Sequence, residues 1–211
     1  MKIFNKILFI GCHFDDIELG CAGTILRLED KEVSFLILTN SEIINKKKII
    51  RSKIQAKKYF LSSINKMKIK KYKLLNLETN NLVANNELVS KIRNYIDEFK
   101  PDTVFTHWIG DSHHDHRAAA IASLSAARHV KNIFMYKSNL YRGVGKFEKN
   151  FYINITNQFK EKIKIIKCYK DEMKRTNNKF IKQVKKINSY DGEKINCKFA
   201  ESFYSLRLTV L

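Results

Sequence analysis

The sequence lacks several features that would assign it to common protein classes. Its four cysteines have no CxxC spacing and form no dense framework, so neither a cysteine-ligated zinc site nor a disulfide scaffold is indicated. No apolar run approaches the roughly 20 residues that a membrane-spanning helix needs. The first apolar run is too short for a signal sequence, so we expect a cytoplasmic protein in reducing surroundings.

Acidic residues are also scarce. The chain has 21 Asp and Glu against 40 Lys and Arg, which gives a formal net charge of +19. Such a charge is typical of proteins that bind nucleic acid or another anionic surface. The excess is densest in residues 46–58, where seven basic residues occur without an acid, and in residues 160–186. Neither stretch forms a recognised nucleic-acid motif, so a basic anion-binding or nucleic-acid-binding protein is kept only as an alternative and no nucleic-acid partner is expected.

Short apolar runs alternate with helical patterns along the chain. The runs predict buried strands at residues 7–10, 33–38, 72–75, 103–106, 133–136 and 151–155. Helices are predicted over about 16–27, 46–61, 88–99 and 116–127, and an apolar stripe over residues 159–187 predicts one long basic helix or a pair that breaks near Asn177.

This alternation predicts a single domain over residues 1–211. We expect a Rossmann-like, three-layer αβα fold of the α/β class with a mostly parallel sheet. Residues from about 150 to 211 are expected to complete the sheet and the pocket. The first strand is not followed by GxGxxG, so a dinucleotide site is not supported.

A histidine and two carboxylates follow the first predicted strand as His13-Phe14-Asp15-Asp16. Ligands bind at the carboxyl ends of strands in α/β sheets, so His13 and Asp16 can both point at one centre. Imidazole nitrogens and carboxylate oxygens are ordinary ligands of zinc and other divalent ions. Asp15 would then lie close enough to take a proton from a water molecule. The alternative is that Asp15 and Asp16 merely cap the following helix.

A second cluster follows the strand predicted at residues 103–106. Residues 107–117 contain four histidines and two aspartates, a density that random burial does not explain. A histidine from this stretch can supply a third protein ligand and leave one position open for water and substrate. A second histidine can donate a hydrogen bond to an oxyanion or transfer a proton. The two clusters together predict a divalent-metal site.

The two clusters resemble the paired signature motifs of a known enzyme family. Residues 13–16, followed by Glu-Leu-Gly, are similar to the HPDD motif of the LmbE-like or PIG-L-like zinc de-N-acetylases. His113-His114-Asp115-His116, followed by Arg-Ala-Ala, is similar to their HPDH motif. The resemblance covers most of the chain. It implies a hydrolase that removes an acetyl group from an N-acetylglucosamine conjugate.

The resemblance also implies the metal ligands and the general base. His13, Asp16 and His116 would hold Zn²⁺, although Fe²⁺ or Co²⁺ could take the same ligands. Asp15 would act as the general base.

Three further residues are assigned by the resemblance. His113 would stabilise the oxyanion as an imidazolium, and Asp115 would orient or charge it. Arg51 would contact the substrate, which we expect to be a small amino-sugar conjugate. The basic surface favours an anionic conjugate with Arg51 as its anchor. Whether the chain forms a homo-oligomer is left open.

The chain departs from the family pattern at several positions. Phe14 and His114 replace the two motif prolines, which predicts less rigid ligand-bearing turns. Thr79, beside Glu78, stands where an acidic residue is frequent, and Gln55 replaces a Glu. We interpret these differences as changes in substrate fit.

One alternative enzyme class also uses two histidines and a carboxylate. Iron(II) oxygenases carry an HxD…H triad, and His13, Asp15 and His116 fit that string. Those oxygenases resemble all-β jelly rolls, however, whereas this sequence predicts alternating strands and helices.

Overall fold

The computed structural model describes residues 4–139 and 141–209. In these residues the strands are β1 (Lys6–Gly11), β2 (Glu32–Thr39), β3 (Ile43–Asn45), β4 (Lys48–Arg51), β5 (Lys71–Leu77), β6 (Thr103–His107), β7 (Asn132–Tyr136), β8 (Phe151–Asn154) and β9 (Ala200–Arg207). The helices are α1 (Asp16–Arg27), α2 (Lys53–Lys66), α3 (Asn86–Phe99), α4 (His114–Ala126), α5 (Phe159–Ile166), α6 (Lys170–Arg175) and α7 (Lys179–Glu193).

Seven of these strands form one central sheet in the order β5-β2-β1-β6-β7-β9-β8. The first five in that order pair in parallel, whereas β9 runs antiparallel to both β7 and β8. β3 and β4 form a separate antiparallel hairpin. The predicted mostly parallel α/β sheet is therefore confirmed.

The sheet is covered by helices on both faces, which is why its inner strands read as continuous apolar runs. Successive residues of a strand point to opposite faces. Ile7 and Phe9 of β1 accordingly join the apolar cluster that packs against α1, α2, α5 and α7. Leu8 and Ile10 join a second cluster that packs against α3 and α4. In the described residues, no helix is both long enough and apolar enough to cross a membrane.

The prediction of a helix over residues 46–61 is wrong for the first part of that range. Residues 43–51 form the β3–β4 hairpin, and α2 begins only at Lys53. Lys46 and Lys47 have φ angles of 47° and 64°, which belong to a two-residue hairpin turn and not to a right-handed helix. The isoleucines of this stretch have a spacing that fits either structure, so periodicity alone did not separate the two.

The apolar stripe over residues 159–187 is carried by three helices instead of one or two. The break predicted near Asn177 is confirmed, because Asn177 and Asn178 have positive φ angles and separate α6 from α7. A second break lies at residues 167–169. The sequence prediction also missed β9, in which the buried Glu201 interrupts the apolar pattern.

A buried ion pair ties β9 to two helices. Lys162 Nζ of α5 lies 2.7 Å from Glu201 Oε1, and both side chains are 1% exposed. The same carboxylate accepts hydrogen bonds from the backbone N–H groups of Gly23 (2.9 Å) and Thr24 (2.7 Å) in α1. Because α1 begins at Asp16, this contact fixes the helix that carries one predicted metal ligand.

We expect Lys162→Met and Glu201→Gln each to lower the free energy of unfolding by about 3 to 5 kcal/mol. Each change removes one charge and leaves its partner buried without compensation. Urea unfolding followed by circular dichroism measures the loss. The double variant Lys162→Met/Glu201→Gln should lose clearly less than the sum of the two single losses. A loss below about 1 kcal/mol for both single variants would show that the pair does not hold the helices.

Candidate metal centre

The two sequence clusters meet at one edge of the sheet. β1 and β6 are adjacent and parallel, with Ile7 opposite Thr103 and Phe9 opposite Phe105. Parallel strands end at the same edge, so the loop after β1 and the segment after β6 lie side by side. This pairing brings His13 next to residues that follow it by about a hundred positions.

The three predicted ligands converge. His13 Nδ1 lies 3.1 Å from His116 Nε2 and 3.3 Å from Asp16 Oδ2. His116 Nε2 lies 3.3 Å from Asp16 Oδ1. Zinc bonds of about 2.0 to 2.1 Å in a tetrahedron place ligand atoms about 3.3 to 3.4 Å apart. Each pair of these side chains approaches that spacing, although His13 and His116 contact different oxygens of Asp16. Four groups of side chains offer ligand atoms within 4.8 Å of one another: His13/His113/His116, Asp16/His107/His116, Cys12/His13/Asp115 and His113/His114/Asp115. The three predicted ligands are divided between the first two.

Each of the two converging histidines has a carboxylate behind its other ring nitrogen. Asp115 Oδ2 lies 3.3 Å from His13 Nε2, and Asp111 Oδ2 lies 3.3 Å from His116 Nδ1. Carboxylates in this position fix the tautomer and ring orientation of a metal-binding histidine. The sequence prediction gave Asp111 no role, although its position five residues before His116 in the same cluster was the available signal.

The surroundings of Asp115 and Asp111 lower the pKa of each and so favour the ionised carboxylate. Burial raises the pKa of Asp115, but hydrogen bonds from His13 and from the backbone N–H groups of Leu82 (3.0 Å) and Asn80 (2.6 Å) outweigh it and bring the pKa to about 2. Burial likewise raises the pKa of Asp111, and its contact with His116 more than reverses this, so the pKa lies below its usual value.

Asp16 is held by partners on both of its oxygens. Oδ2 accepts a hydrogen bond from the His13 backbone N–H at 2.7 Å, and Oδ1 accepts one from Ser138 Oγ at 2.8 Å. His107 Nε2, at the end of β6, lies 3.2 Å from Oδ2, and the His107 ring stacks on His116 with centroids 4.1 Å apart. Burial raises the pKa of Asp16, but His116 and His107 lower it well below the usual value. Sequence reasoning assigned no role to His107 or Ser138.

Asp15 is not used as a helix cap. It occupies the N-cap position of α1, yet its side chain accepts no capping hydrogen bond. It lines the same cleft as His13, His113 and His116. Burial and the neighbouring Asp16 raise the pKa of Asp15 to about 6, with Arg51 acting in the opposite direction. The capping alternative for Asp15 is therefore not supported, and the carboxylate is free to exchange a proton.

His113 does not have the surroundings of an imidazolium. Its Nδ1 accepts a hydrogen bond from the Asp115 backbone N–H at 3.2 Å, which leaves the proton on Nε2. Burial and the charges of His116 and His13 lower the pKa of His113 to about 4. These surroundings do not favour the expected imidazolium, because the Asp115 carboxylate lies against His13 and not against His113. Asp115 contacts the His113 ring through its backbone N–H, and the roles of both residues stay predictions. A neutral His113 can still donate from Nε2.

Arg51 lines the cleft, and two carboxylates of the chain itself lie beside its guanidinium group. It is 4% exposed, and its Nε donates to the Ser41 carbonyl at 3.0 Å. One terminal nitrogen lies 3.4 Å from Asp171 Oδ2 and 3.5 Å from Glu172 Oε1 of α6. Two carboxylates so close to one guanidinium argue against Arg51 as a free anchor for an anionic group. Its contact with substrate stays a prediction.

A cleft of about 630 Å³ opens over the converging side chains. Asp15 and Asp16 line it, and residues of the β3–β4 hairpin form part of its wall. Glu172, Arg175 and Phe180, from α6 and α7, form part of another wall, so the C-terminal part of the chain contributes to the cleft. The volume suits a small molecule of sugar size or larger.

Phe14 is immobilised although it replaces a proline. Its backbone N–H donates to Ser41 Oγ at 2.9 Å, and its carbonyl accepts a hydrogen bond from Tyr169 Oη. The ring is 2% exposed and stacks on Phe60 with centroids 4.8 Å apart. Tyr169 Oη also lies 2.5 Å from Oε1 of the buried Glu18. Packing and hydrogen bonds therefore replace the rigidity of the absent ring, which corrects the expectation of a looser turn.

His114 occupies a position that suits proline equally well. It is the first residue of α4, where no intrahelical partner exists for a backbone N–H, and His113 before it is extended at ψ 125°. The His114 ring stacks on His113, and its Nε2 lies 3.0 Å from the Asn80 carbonyl. This substitution leaves the helix start intact.

Comparison with known families matches residues 8–127 to the family described as PIG-L: GlcNAc-PI de-N-acetylase. The matched segment contains both histidine and aspartate clusters.

The chain is also similar in structure to several solved proteins. N,N'-diacetylchitobiose deacetylase from Pyrococcus horikoshii has a TM-score of 0.83 and 22% identity, over 97% of this chain and 85% of that chain. A conserved protein from Thermus thermophilus has a TM-score of 0.84 and 21% identity, over 98% of this chain and 97% of that chain. The 4-carboxy-2-hydroxymuconate hydratase GalB from Pseudomonas putida has a TM-score of 0.76 and 12% identity, over 98% of both chains. These likenesses show the fold, and because a hydratase shares it, the reaction has to be argued from the side chains.

We expect Phe14→Pro and His114→Pro to differ sharply in their effect on stability. Phe14→Pro removes a core ring and the hydrogen bond to Ser41, so it should lower the free energy of unfolding by about 3 kcal/mol or more. His114→Pro should change it by less than about 1 kcal/mol, because the position needs no N–H donor. Urea unfolding of the two variants provides the comparison, and equal losses would contradict it.

We expect Asp111→Asn to weaken zinc binding by about 10-fold to 100-fold, because a neutral amide no longer supports His116 as a metal-binding imidazole. Competition with a chromogenic chelator measures the affinity, and circular dichroism checks the fold. Asp97→Asn, an exposed change on α3, is the matched control and should leave the affinity unaltered. Equal zinc affinities of Asp111→Asn and the unaltered protein would remove Asp111 from the site.

Proposed function

Since this chain belongs to the PIG-L family, whose sequence profile matches more than half of it, we propose that it is a metal-dependent N-deacetylase. Its substrate is an N-acetylglucosamine-type conjugate, and its metal is zinc, held by His13, Asp16 and His116. The carrying observation is that the Asp16 carboxylate lies 3.3 Å from a ring nitrogen of His13 and of His116, which are 3.1 Å apart, beside Asp15, a carboxylate with no capping role. When bound, zinc supplies a Lewis acid that polarises the amide carbonyl and acidifies water.

Asp15 acts as the general base in this proposal. It takes a proton from the attacking water as oxygen adds to the amide carbon, and it passes that proton to the departing amine nitrogen. Its position next to Asp16, in the same cleft as His13, supports this role. The products are acetate and the free amine.

His113 stabilises the oxyanion as a neutral donor. The Asp115 N–H at its Nδ1 keeps the proton on Nε2, from which the ring donates a hydrogen bond to the charge that develops on the carbonyl oxygen. Asp115 contributes twice, through this backbone contact and through its carboxylate behind His13. Asp111 has the matching position behind His116.

Two findings support an amino sugar as substrate. The family description names a GlcNAc-PI de-N-acetylase, and a structurally similar protein is an N,N'-diacetylchitobiose deacetylase. The cleft volume accommodates a sugar with part of its aglycone. A small-molecule amino-sugar conjugate is therefore the partner that we propose.

The oxygenase alternative loses its support in this geometry. An HxD…H triad needs the carboxylate of Asp15, whereas the carboxylate in contact with both His13 and His116 is that of Asp16. The mostly parallel sheet also differs from a jelly roll.

Zinc-loaded protein should release acetate from N,N'-diacetylchitobiose or from an N-acetylglucosamine glycoside. Asp15→Asn should keep its zinc and lose at least about 100-fold in kcat, because a general base contributes roughly 10²- to 10⁴-fold. Acetate release and metal content by plasma mass spectrometry are the two measurements. Asp97→Asn is the control for the same change at an exposed position. Equal turnover by Asp15→Asn and the unaltered enzyme would remove Asp15 as the base.

A further inference from the structure

We propose that the β3–β4 hairpin and the first turn of α2 dock the protein onto an anionic lipid bilayer. This surface, residues 43–54, is called the docking hairpin below. The proposal goes beyond the deacetylase reaction, since it concerns where the enzyme works and does not depend on what it hydrolyses.

The docking hairpin exposes four isoleucines to solvent. Ile44, Ile49, Ile50 and Ile54 are 56%, 57%, 47% and 78% exposed. In the described parts of the chain, β3 and β4 pair only with each other. A two-stranded hairpin is marginally stable in water unless an apolar surface covers it. Ile44 and Ile49 pair across the two strands and so share one face of the hairpin, and an exposed apolar patch of this kind marks an interaction site.

The charged residues of this stretch of sequence are of one sign. Residues 43–77 contain twelve Lys and Arg and no Asp or Glu. Lys46, Lys47, Lys48 and Lys53 are all exposed within the docking hairpin itself. Isoleucine side chains that enter the acyl boundary, surrounded by lysines that meet lipid phosphates, are the combination that holds a protein at an anionic interface.

Two of these lysines lie in the turn of the hairpin, in a backbone conformation that non-glycine residues rarely adopt. Lys46 and Lys47 form the turn with φ angles of 47° and 64°, in the left-handed region that such turns usually fill with Asn and Gly. Non-glycine residues adopt this region at a cost that is characteristic of functional positions. The turn between the two strands therefore carries two adjacent exposed lysines.

The composition favours a membrane over the other two candidate occupants. A second copy of the chain would bring one lysine-rich hairpin against another, and like charges repel. Single-stranded nucleic acid is bound by basic grooves that include aromatic rings on which bases stack, and the exposed apolar residues here are all aliphatic. The cytoplasmic location that the sequence predicts would expose the hairpin to a negatively charged leaflet.

The docking hairpin also borders the metal-centre cleft. Ile43, Ile44 and Ile50 line the cleft together with His13 and Asp15. Binding of the hairpin to a bilayer would therefore set the cleft opening beside the lipid headgroups.

Co-sedimentation of the 211-residue protein with vesicles tests the proposal. We expect binding to vesicles of phosphatidylcholine mixed with phosphatidylglycerol, and little binding to phosphatidylcholine alone. Ile44→Ser/Ile49→Ser should weaken binding by at least about tenfold, because it removes the inserted apolar surface. Lys46→Gln/Lys47→Gln/Lys48→Gln should weaken it on the order of a hundredfold, from roughly fivefold for each basic residue at the surface.

Matched controls separate this surface from the overall charge and from self-association. Ile121→Ser/Ile195→Ser alters two exposed isoleucines elsewhere, and Lys182→Gln/Lys185→Gln/Lys186→Gln removes the same charge from α7. Both controls should bind vesicles nearly as the unaltered protein does, and thermal melting checks that all variants are folded. Three results would overturn the proposal: no preference for anionic vesicles, equal losses in the hairpin and control variants, or a hairpin variant that changes oligomer size in light scattering while vesicle binding is unaltered.

Discussion

The parallel pairing of β1 with β6 is the interaction on which the metal centre depends. Each strand ends at the same edge of the sheet, so the turn after β1 and the start of α4 become neighbours although about a hundred residues separate them. The consequence is electrostatic. Two imidazole nitrogens and a carboxylate face one another at 3.1 to 3.3 Å. Two further carboxylates lie 3.3 Å from the other ring nitrogens, and Ser138 donates a hydrogen bond to Asp16. An arrangement in which lone pairs converge on one point suits a cation at that point.

The sequence allowed the α/β class to be predicted, and it indicated that His13, Asp16 and His116 lie at one edge of the sheet, because strand ends and residue types are local features. Their role as metal ligands stays a prediction. The sequence did not reveal Asp111 and Ser138 as supporting residues, since their contacts depend on how loops fold over the sheet edge. β9 was missed because a buried carboxylate, Glu201, looks like a solvent-facing residue until its partner Lys162 is known. The β3–β4 hairpin was mistaken for a helix because its isoleucines are exposed, and periodicity identifies a structure only when one face is buried.

Rigidity at the ligand-bearing turns is supplied by tertiary contacts instead of proline rings. Phe14 is fixed by the stacked ring of Phe60 and by hydrogen bonds to Ser41 and Tyr169. Tyr169 in turn reaches Glu18, whose pKa is raised to about 8 by burial, so that this carboxyl group is largely protonated near neutral pH. The motif loop is thus linked to the segment between α5 and α6, and the shape of the cleft depends on both halves of the chain.

The ion pair between Lys162 and Glu201 has a consequence for the order in which the protein matures on the ribosome. Glu201 meets α1 at Gly23, 178 positions earlier in the chain, and β9 fits between β7 and β8 in the finished sheet. The ribosome therefore synthesises all three predicted zinc ligands long before it synthesises β9, the strand whose Glu201 holds α1 in place. Such a topology, rich in contacts between distant segments, folds slowly, and it confines assembly of the finished site to the last stage of synthesis.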